Sequence, residues 1–348
     1  MRILVDILHP AHVHFFRHFI DVMRERGHEI VVTARDKDGS TRLLDLHGLV
    51  YTLLSRQARG PAGLAVELVA RTARLAHVAR AFKPDVMTGI MGPSIALAGR
   101  ALGVPAVVYY DTEFAWQTNW FVYPLAFAVC TPDCYTGRVR GRHVTYPGYH
   151  ELAYLHPARF TPNAATLAAF GLAPEEPYSI VRFVSWEASH DIAEHGLSLD
   201  QKRDLVAQLA HDGRVLISSE APLPTDLERF RLRGPYHEIH HLIAFARVLV
   251  GESATMASEA AVLGVPAVFV AKTGRGYTDD QETRYGLVRN VRHGEYEKVF
   301  AVVAAAMAKA PEHYRRARVA LLQDKVDVTA RMVDDFERWF PRGTRHPG

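Results

Sequence analysis

The 348-residue chain has only two cysteines, Cys130 and Cys134. Two thiols cannot build a disulfide framework, and "CTPDC" lacks the second ligand pair of a structural zinc site. The stretch is expected to be a loop carrying unpaired thiols. Long apolar runs are missing too. The nearest, "NWFVYPLAFAVC", falls short of the roughly 20 residues that a membrane-spanning helix requires. The short apolar start leads into a histidine-rich segment, unlike a secretory leader, so the chain is expected in the cytoplasm. A peripheral membrane contact is compatible with that. No Gly-rich loop ending in Lys-Ser/Thr is present, nor an intact G-x-G-x-x-G after the first strand, which argues against ATPase and dinucleotide-oxidoreductase readings. Neither sign of charge dominates: the net charge is +3 with His neutral, so nucleic acid is not an expected partner.

What is present is a balanced composition, 48% hydrophobic and 23% charged, and enough length for two domains. Short apolar runs alternate with helical patterns. "RILVDIL" predicts a buried strand, "FFRHFIDVMRERG" a helix closed by Gly27, and "HEIVVTAR" the next strand. "KPDVMTGI", "PSIALAGRALG" and "VPAVVYYD" continue as strand, helix, strand. The rhythm restarts with "PYSIVRFVSW" and runs through "RVLISSE", "YHEIHHLIAFA", "RVLVGES" and "VPAVFVA". This βαβ order implies parallel sheets covered on both faces. The segments 94–108 and 255–269 also align without a gap, sharing Leu-Gly-Val-Pro-Ala-Val, and Glu259 stands where the first has Ala98. An α/β architecture of two facing Rossmann-type domains with a cleft between them follows. The expected divisions are 1–165, 166–325 and a C-terminal helix and tail over 326–348 that packs back across the junction.

In open α/β sheets ligands bind beyond the carboxyl ends of the strands, where helix N-termini present backbone N–H groups. Four segments qualify. In "GESATMASEA", Gly251 allows close backbone approach, Ser253 and Thr255 can cap the helix and bond a phosphate, and Glu259 can accept from both ribose hydroxyls. In "HPAHVHFF" the histidines His9, His12 and His14 surround a helix start, taken to lie near His14. A histidine there favours its neutral form. Zinc would need three or four convergent ligands, and successive positions at a helix start point different ways, so no metal is expected. "YYDTEFAWQTNW" carries Asp111 and Glu113, with Phe114, Trp116 and Trp120 available to stack on a sugar. "RFVSWEASHD" places Ser185, Trp186, Glu187 and His190 at the edge of the second domain, with Arg182 inside the strand able to reach phosphate only if that strand ends early. Ser219 and Glu220 end another strand. "GRVRGRHV" (137–144) is expected to be a solvated basic loop.

"GESATMASEAAVLGVPAVFVA" resembles the donor-binding segment of GT-B glycosyltransferases, nearest to the N-acetylglucosaminyltransferase that forms lipid II, whose fold UDP-N-acetylglucosamine 2-epimerases share. The resemblance implies that Ser253, Ala254 and Thr255 border the nucleotide phosphates, that Glu259 holds the ribose, and that Gln281 contacts the donor sugar. The second glutamine of that family's pair is Glu282 here, a departure at the sugar contact. His12 matches, in position though not in glycine content, the histidine ending that enzyme's N-terminal loop. Over nearly its whole length the chain resembles an uncharacterised prokaryotic family, a domain of unknown function with GT-B-like sequence, whose members share versions of "HPAHVHFF", "YYDTEFA", "SWEASHD" and "TMASEAAVLGVPA".

The resulting expectation is a metal-independent glycosyltransferase using a UDP-sugar donor, without a cofactor, acting in polysaccharide biosynthesis on a glycan, a lipid-linked sugar or a small molecule. His12, Asp111 and Glu113 are the candidate bases. The alternatives are a UDP-sugar 2-epimerase and a non-catalytic nucleotide-sugar-binding protein.

Overall fold

The computed structural model describes residues 1–113, 119–120, 122–173, 175–183, 197–219 and 222–341. The chain divides into two compact units: Met1–Arg159 with Val326–Gly348, and Phe160–Lys325. The sequence-based divide at 165 thus falls a few residues inside the second unit, and the C-terminal helix belongs to the first.

The first unit is built on a seven-stranded parallel sheet of order β3-β2-β1-β4-β5-β6-β7. Its strands are β1 (Arg2–Ile7), β2 (Glu29–Asp36), β3 (Thr52–Arg56), β4 (Val86–Ile90), β5 (Ala106–Tyr109), β6 (Ala128–Pro132) and β7 (His143–Tyr146). Helices α1 (Pro10–Glu25), α2 (Ser40–Leu46), α3 (Gly60–Phe82), α4 (Pro93–Leu102) and the short α5 (Leu152–Leu155) connect and follow them. Leu4, Met87, Val108 and Val129 of four neighbouring strands are buried together with Leu75 of α3 and Ile95 of α4. Such strands read as continuous apolar runs because both faces of the sheet are covered.

The second unit has a five-stranded parallel sheet of order β12-β11-β10-β8-β9. It comprises β8 (Tyr178–Phe183), β9 (Arg214–Ser219), β10 (Leu249–Gly251), β11 (Ala267–Ala271) and β12 (Val288–Arg292). The helices are α6 (Leu199–His211), α7 (Ile239–Ala244), α8 (Ala254–Leu263), α9 (Gly276–Asp280), α10 (Val299–Ala308) and α11 (Pro311–Asp324). α6 starts on a capping box: Ser198 Oγ accepts from Gln201 N at 3.2 Å while Gln201 Oε1 accepts from Ser198 N at 3.0 Å. The last helix, α12 (Val328–Trp339), starts on Asp327 and returns to the first unit, where Phe336 meets Phe19 of α1 at 4.9 Å between ring centroids.

Three expectations change. Cys130 lies in β6, not in a loop, and burial pushes its thiol well above the usual range, away from reactivity. The basic segment 137–144 runs into β7, a strand of the sheet. And α1 begins at Pro10, well before His14, because His9 caps it and proline suits the first helical position. Among the described residues no helix is long and apolar enough to cross a membrane.

Candidate functional site

In the first unit the carboxyl end of the sheet gathers residues from three connections. The α1 start closes on two histidine rings. His9 Nδ1 accepts from Ala11 N and His12 Nδ1 accepts from Leu8 N, both at 3.2 Å. These bonds place the single proton of a neutral His12 on Nε2, so the ring offers a donor there. His12 is held neutral: burial lowers its pKa well below 6.5, as do His9, His150 and Lys37, against the pull of Asp111. His9 is half-exposed, 3.8 Å from Asp38, and His14 stacks on Tyr154 at 5.3 Å. The three rings thus diverge, and among the described residues no group of three or more His, Cys, Asp and Glu is placed to hold a metal ion.

Asp111, just beyond β5, places Oδ2 3.0 Å from Nδ1 of His150, which follows β7. Asp111 also accepts from Thr112 Oγ1 at 3.0 Å. Burial alone would raise the Asp111 pKa, but His150 and the Thr112 hydroxyl hold it below the usual value. With Nδ1–H directed at Asp111, His150 presents Nε2 as an acceptor. That atom is buried and has no hydrogen-bond partner among the described residues, a state that calls for a ligand group or a water. The Phe15 ring packs against His150 at 4.6 Å and fixes its plane. Glu113 stands nearby in sequence; its Oε1 accepts weakly from Thr136 Oγ1 at 3.5 Å, and its Oε2 is buried without a hydrogen-bond partner. Phe114 and Trp116 lie outside the described residues, and the exposed Trp120 is covered by the Arg140 guanidinium at 4.1 Å.

In the second unit β10 ends at Gly251 and α8 opens on Ser253, whose Oγ accepts from Met256 N at 3.4 Å. The amides of Ala254 and Thr255, in the first turn, have no intrahelical acceptor. Gly251 serves the sheet, since a Cβ there would collide with the Arg182 carbonyl oxygen of β8. Glu259 is buried, and its Oε1 lies 2.9 Å from His240 Nε2. Beside it Gln281 donates to Ser258 Oγ at 2.7 Å, while its own Oε1 is buried without a hydrogen-bond partner. Glu282, in contrast, turns to β12 and accepts from Asn290 Nδ2 at 2.6 Å. Arg182 lies within β8, which runs on to Phe183, and donates to Ser218 Oγ at 3.1 Å. Ser219 closes β9. Ser185, Trp186, Glu187, His190 and Glu220 lie outside the described residues.

The structure therefore brings His12 and Asp111 together, and Ser253, Glu259 and Gln281 together around α8. Sequence reasoning missed His150 and His240. His150 sits just past a strand, the position searched for, but β7 was hidden inside a segment read as a basic loop. His240 carried no signal beyond its place in a histidine-rich helix.

A family model described as a protein of unknown function (DUF354) matches residues 1–140. An uncharacterized protein of Methanocaldococcus jannaschii is 21% identical over 132 residues, and the match spans 38% of this chain and 39% of that protein's length. The UDP-GlcNAc 2-epimerase of the same organism superimposes with a TM-score of 0.63 at 12% identity, covering 92% of this chain and 99% of that one. The glycosyltransferase SsfS6 of Streptomyces sp. SF2575 gives 0.60 at 13% identity over 96% and 99%. The fold is GT-B-like. Epimerases and transferases share it, so the fold alone does not choose between their reactions.

Proposed function

We propose that the protein is a cytoplasmic, metal-independent glycosyltransferase that uses a nucleotide-diphosphate sugar, with UDP as the nucleotide. The observation that carries this reading is the Asp111–His150 pair, with an oriented imidazole whose Nε2 is buried and unpartnered. An acceptor hydroxyl bonded to Nε2 loses its proton to His150, and its oxygen attacks the anomeric carbon of the donor. The bond from that carbon to the diphosphate oxygen breaks, and the electron pair leaves with the diphosphate. Asp111 keeps the imidazole in the right tautomer and stabilises the imidazolium that forms. The second unit supplies the donor-binding end. The first-turn amides of α8 and the Ser253 and Thr255 hydroxyls stabilise the leaving diphosphate, Glu259 takes the ribose, and Gln281 Oε1 accepts from a sugar hydroxyl.

One observation favours a second reading, a UDP-sugar 2-epimerase. His12 offers an N–H donor on Nε2 beside the base on His150, so that one ring can take the proton from a sugar carbon while the other hydrogen-bonds the developing charge. Melting curves with UDP, UDP-GlcNAc and other nucleotide sugars, followed by product analysis, test both. The transferase reading expects a raised melting temperature and UDP release that depends on an added acceptor. Epimer formed without acceptor selects the second reading. Binding without turnover under either condition leaves a binding protein, and no shift with any nucleotide sugar overturns all three.

A further inference from the structure

Helix α3 is turned inside out over its first three turns. Its buried face carries Glu67 and Arg71, followed by Leu75 and Ala79 at four-residue spacing. Glu67 is clamped by Arg35 Nε and Nη2 at 2.7 and 2.6 Å, with further bonds from Ser55 Oγ and Ala58 N. Burial would raise its pKa, but the Arg35, Ala58 and Ser55 bonds bring it down to about 2. Arg71 forms a two-pronged pair with the fully buried Asp6 of β1, at 2.8 and 2.6 Å. The opposite face, looking to solvent, is apolar: Ala62, Ala65, Val66, Val69 and Ala73 fall on one stripe, and Val66 and Val69 are 70% and 71% exposed. Leu53 on the edge strand β3 adds a further exposed aliphatic side chain. A helix that buries its charges and shows its valines to water has a reason to do so outside the unit's own core.

The charge around the stripe identifies what covers it. Residues 56–83 expose Arg56, Arg59, Arg74, Arg80 and Lys83, while Arg71 and the one acid, Glu67, are buried; of the exposed five, Arg56 lies 3.6 Å from Asp36. Arg56 and Arg74 flank a groove of about 490 Å³ that runs along Ala62 and Val66. A second copy of the chain placed on this face by two-fold symmetry would set arginines against arginines. An anionic lipid surface meets both features at once, acyl chains against the valines and headgroup phosphates against the arginines.

We propose that the outer face of α3 docks the protein on an anionic membrane surface. The contact is peripheral, and it does not depend on the reaction assigned above. Vesicle flotation with the full chain tests it, using phosphatidylcholine vesicles with and without phosphatidylglycerol. Binding is expected only to the anionic vesicles and is expected to fall steeply as salt rises. Replacing Arg56, Arg59 and Arg74 together by Gln is expected to weaken it by roughly 100-fold, at about fivefold per arginine. The double variant Val66→Ser, Val69→Ser is expected to reduce binding while leaving the thermal melt in place, because both side chains are already in water. Absence of binding to anionic vesicles overturns the proposal. Binding that ignores the valine variant overturns it too, because it makes the attraction one of charge alone. A concentration-dependent dimer that dissociates on Val66→Asp assigns the face to a second copy instead.

Discussion

The segments 94–108 and 255–269 fold into the same device, helix α4 into β5 in one unit and helix α8 into β11 in the other. Each helix ends on a left-handed glycine, Gly103 at φ 68° and Gly264 at φ 82°, and each following strand lies inside its sheet, paired on both sides. The two helices then differ at their N-termini and along their inner faces. α4 starts on Gly92 with no side-chain cap and, beyond Ser94 in its first turn, buries the apolar Ile95, Ala96 and Ala98. α8 starts on Ser253 and buries Ser258 and Glu259, each bonded to a side chain from another element. Burying polar groups is unfavourable unless they are satisfied, so α4 is specified by packing and α8 by a polar network. The first unit carries its polar cluster elsewhere, on the connections after β1, β5 and β7. Two sheets of one plan therefore present different groups, a buried imidazole nitrogen in one and a serine-capped helix start in the other, and the proposed function gives the first to the acceptor and the second to the donor.

The largest test of that division acts on the first unit. His150→Ala or Asp111→Asn is expected to lower turnover by roughly 10²- to 10⁴-fold, the usual contribution of a positioned base. Nucleotide affinity in a calorimetric titration should stay within about twofold. Glu259→Ala is expected to do the opposite, weakening UDP by roughly 1–3 kcal/mol, the scale of lost hydrogen bonds to a charged group. Loss of UDP affinity in the His150 variant would show that the two roles are not divided between the units.

Most of the fold could be read from the residues, because nearly every strand with apolar runs and every long helix leaves a periodic signal. The strands β3, β6, β7 and β12 escaped for a physical reason. "TLLSR", "HVTY" and "VRNVR" are short edge strands interrupted by polar side chains, and β6 lies next to the edge strand β7. At the site, Asp111, His12, Ser253 and Glu259 stood where strand ends and helix starts predict. Their partners did not, since His150 and His240 are 39 and 19 residues away from Asp111 and Glu259. Spacing along a sequence carries no information about such pairs. Gly251 was read as a point of close backbone approach to a ligand, and the structure adds a neighbour that the sequence did not show, the Arg182 carbonyl oxygen.

That last point gives a smaller prediction. If Gly251 were conserving room for a ligand, Gly251→Ala would lower UDP affinity and leave the fold intact. The clash with the Arg182 carbonyl predicts instead a loss of roughly 1–3 kcal/mol in unfolding free energy, present with or without UDP. Urea denaturation of both proteins distinguishes the outcomes. Unchanged stability with weakened binding would restore the ligand explanation.

The smallest expected effect is a pH dependence rooted in the first unit. Burial lowers the pKa of His12 well below 6.5 and that of His18 to about 4, and Arg17 and Arg159 add to the effect on His18. Well above pH 6.5 both rings are neutral in the folded and unfolded chains, and neither makes stability depend on pH. Between 6.5 and the folded-state value the unfolded chain binds more protons, so stability falls as pH falls through that window. Asp111 acts in the same direction at lower pH, because its depressed pKa stabilises the folded state only while the carboxylate is ionised. Urea midpoints measured from pH 7.5 to 4.5 should decline for the wild type and decline less for His18→Gln. Equal slopes for the two proteins would remove His18 from this account and leave His12 as the group to replace next.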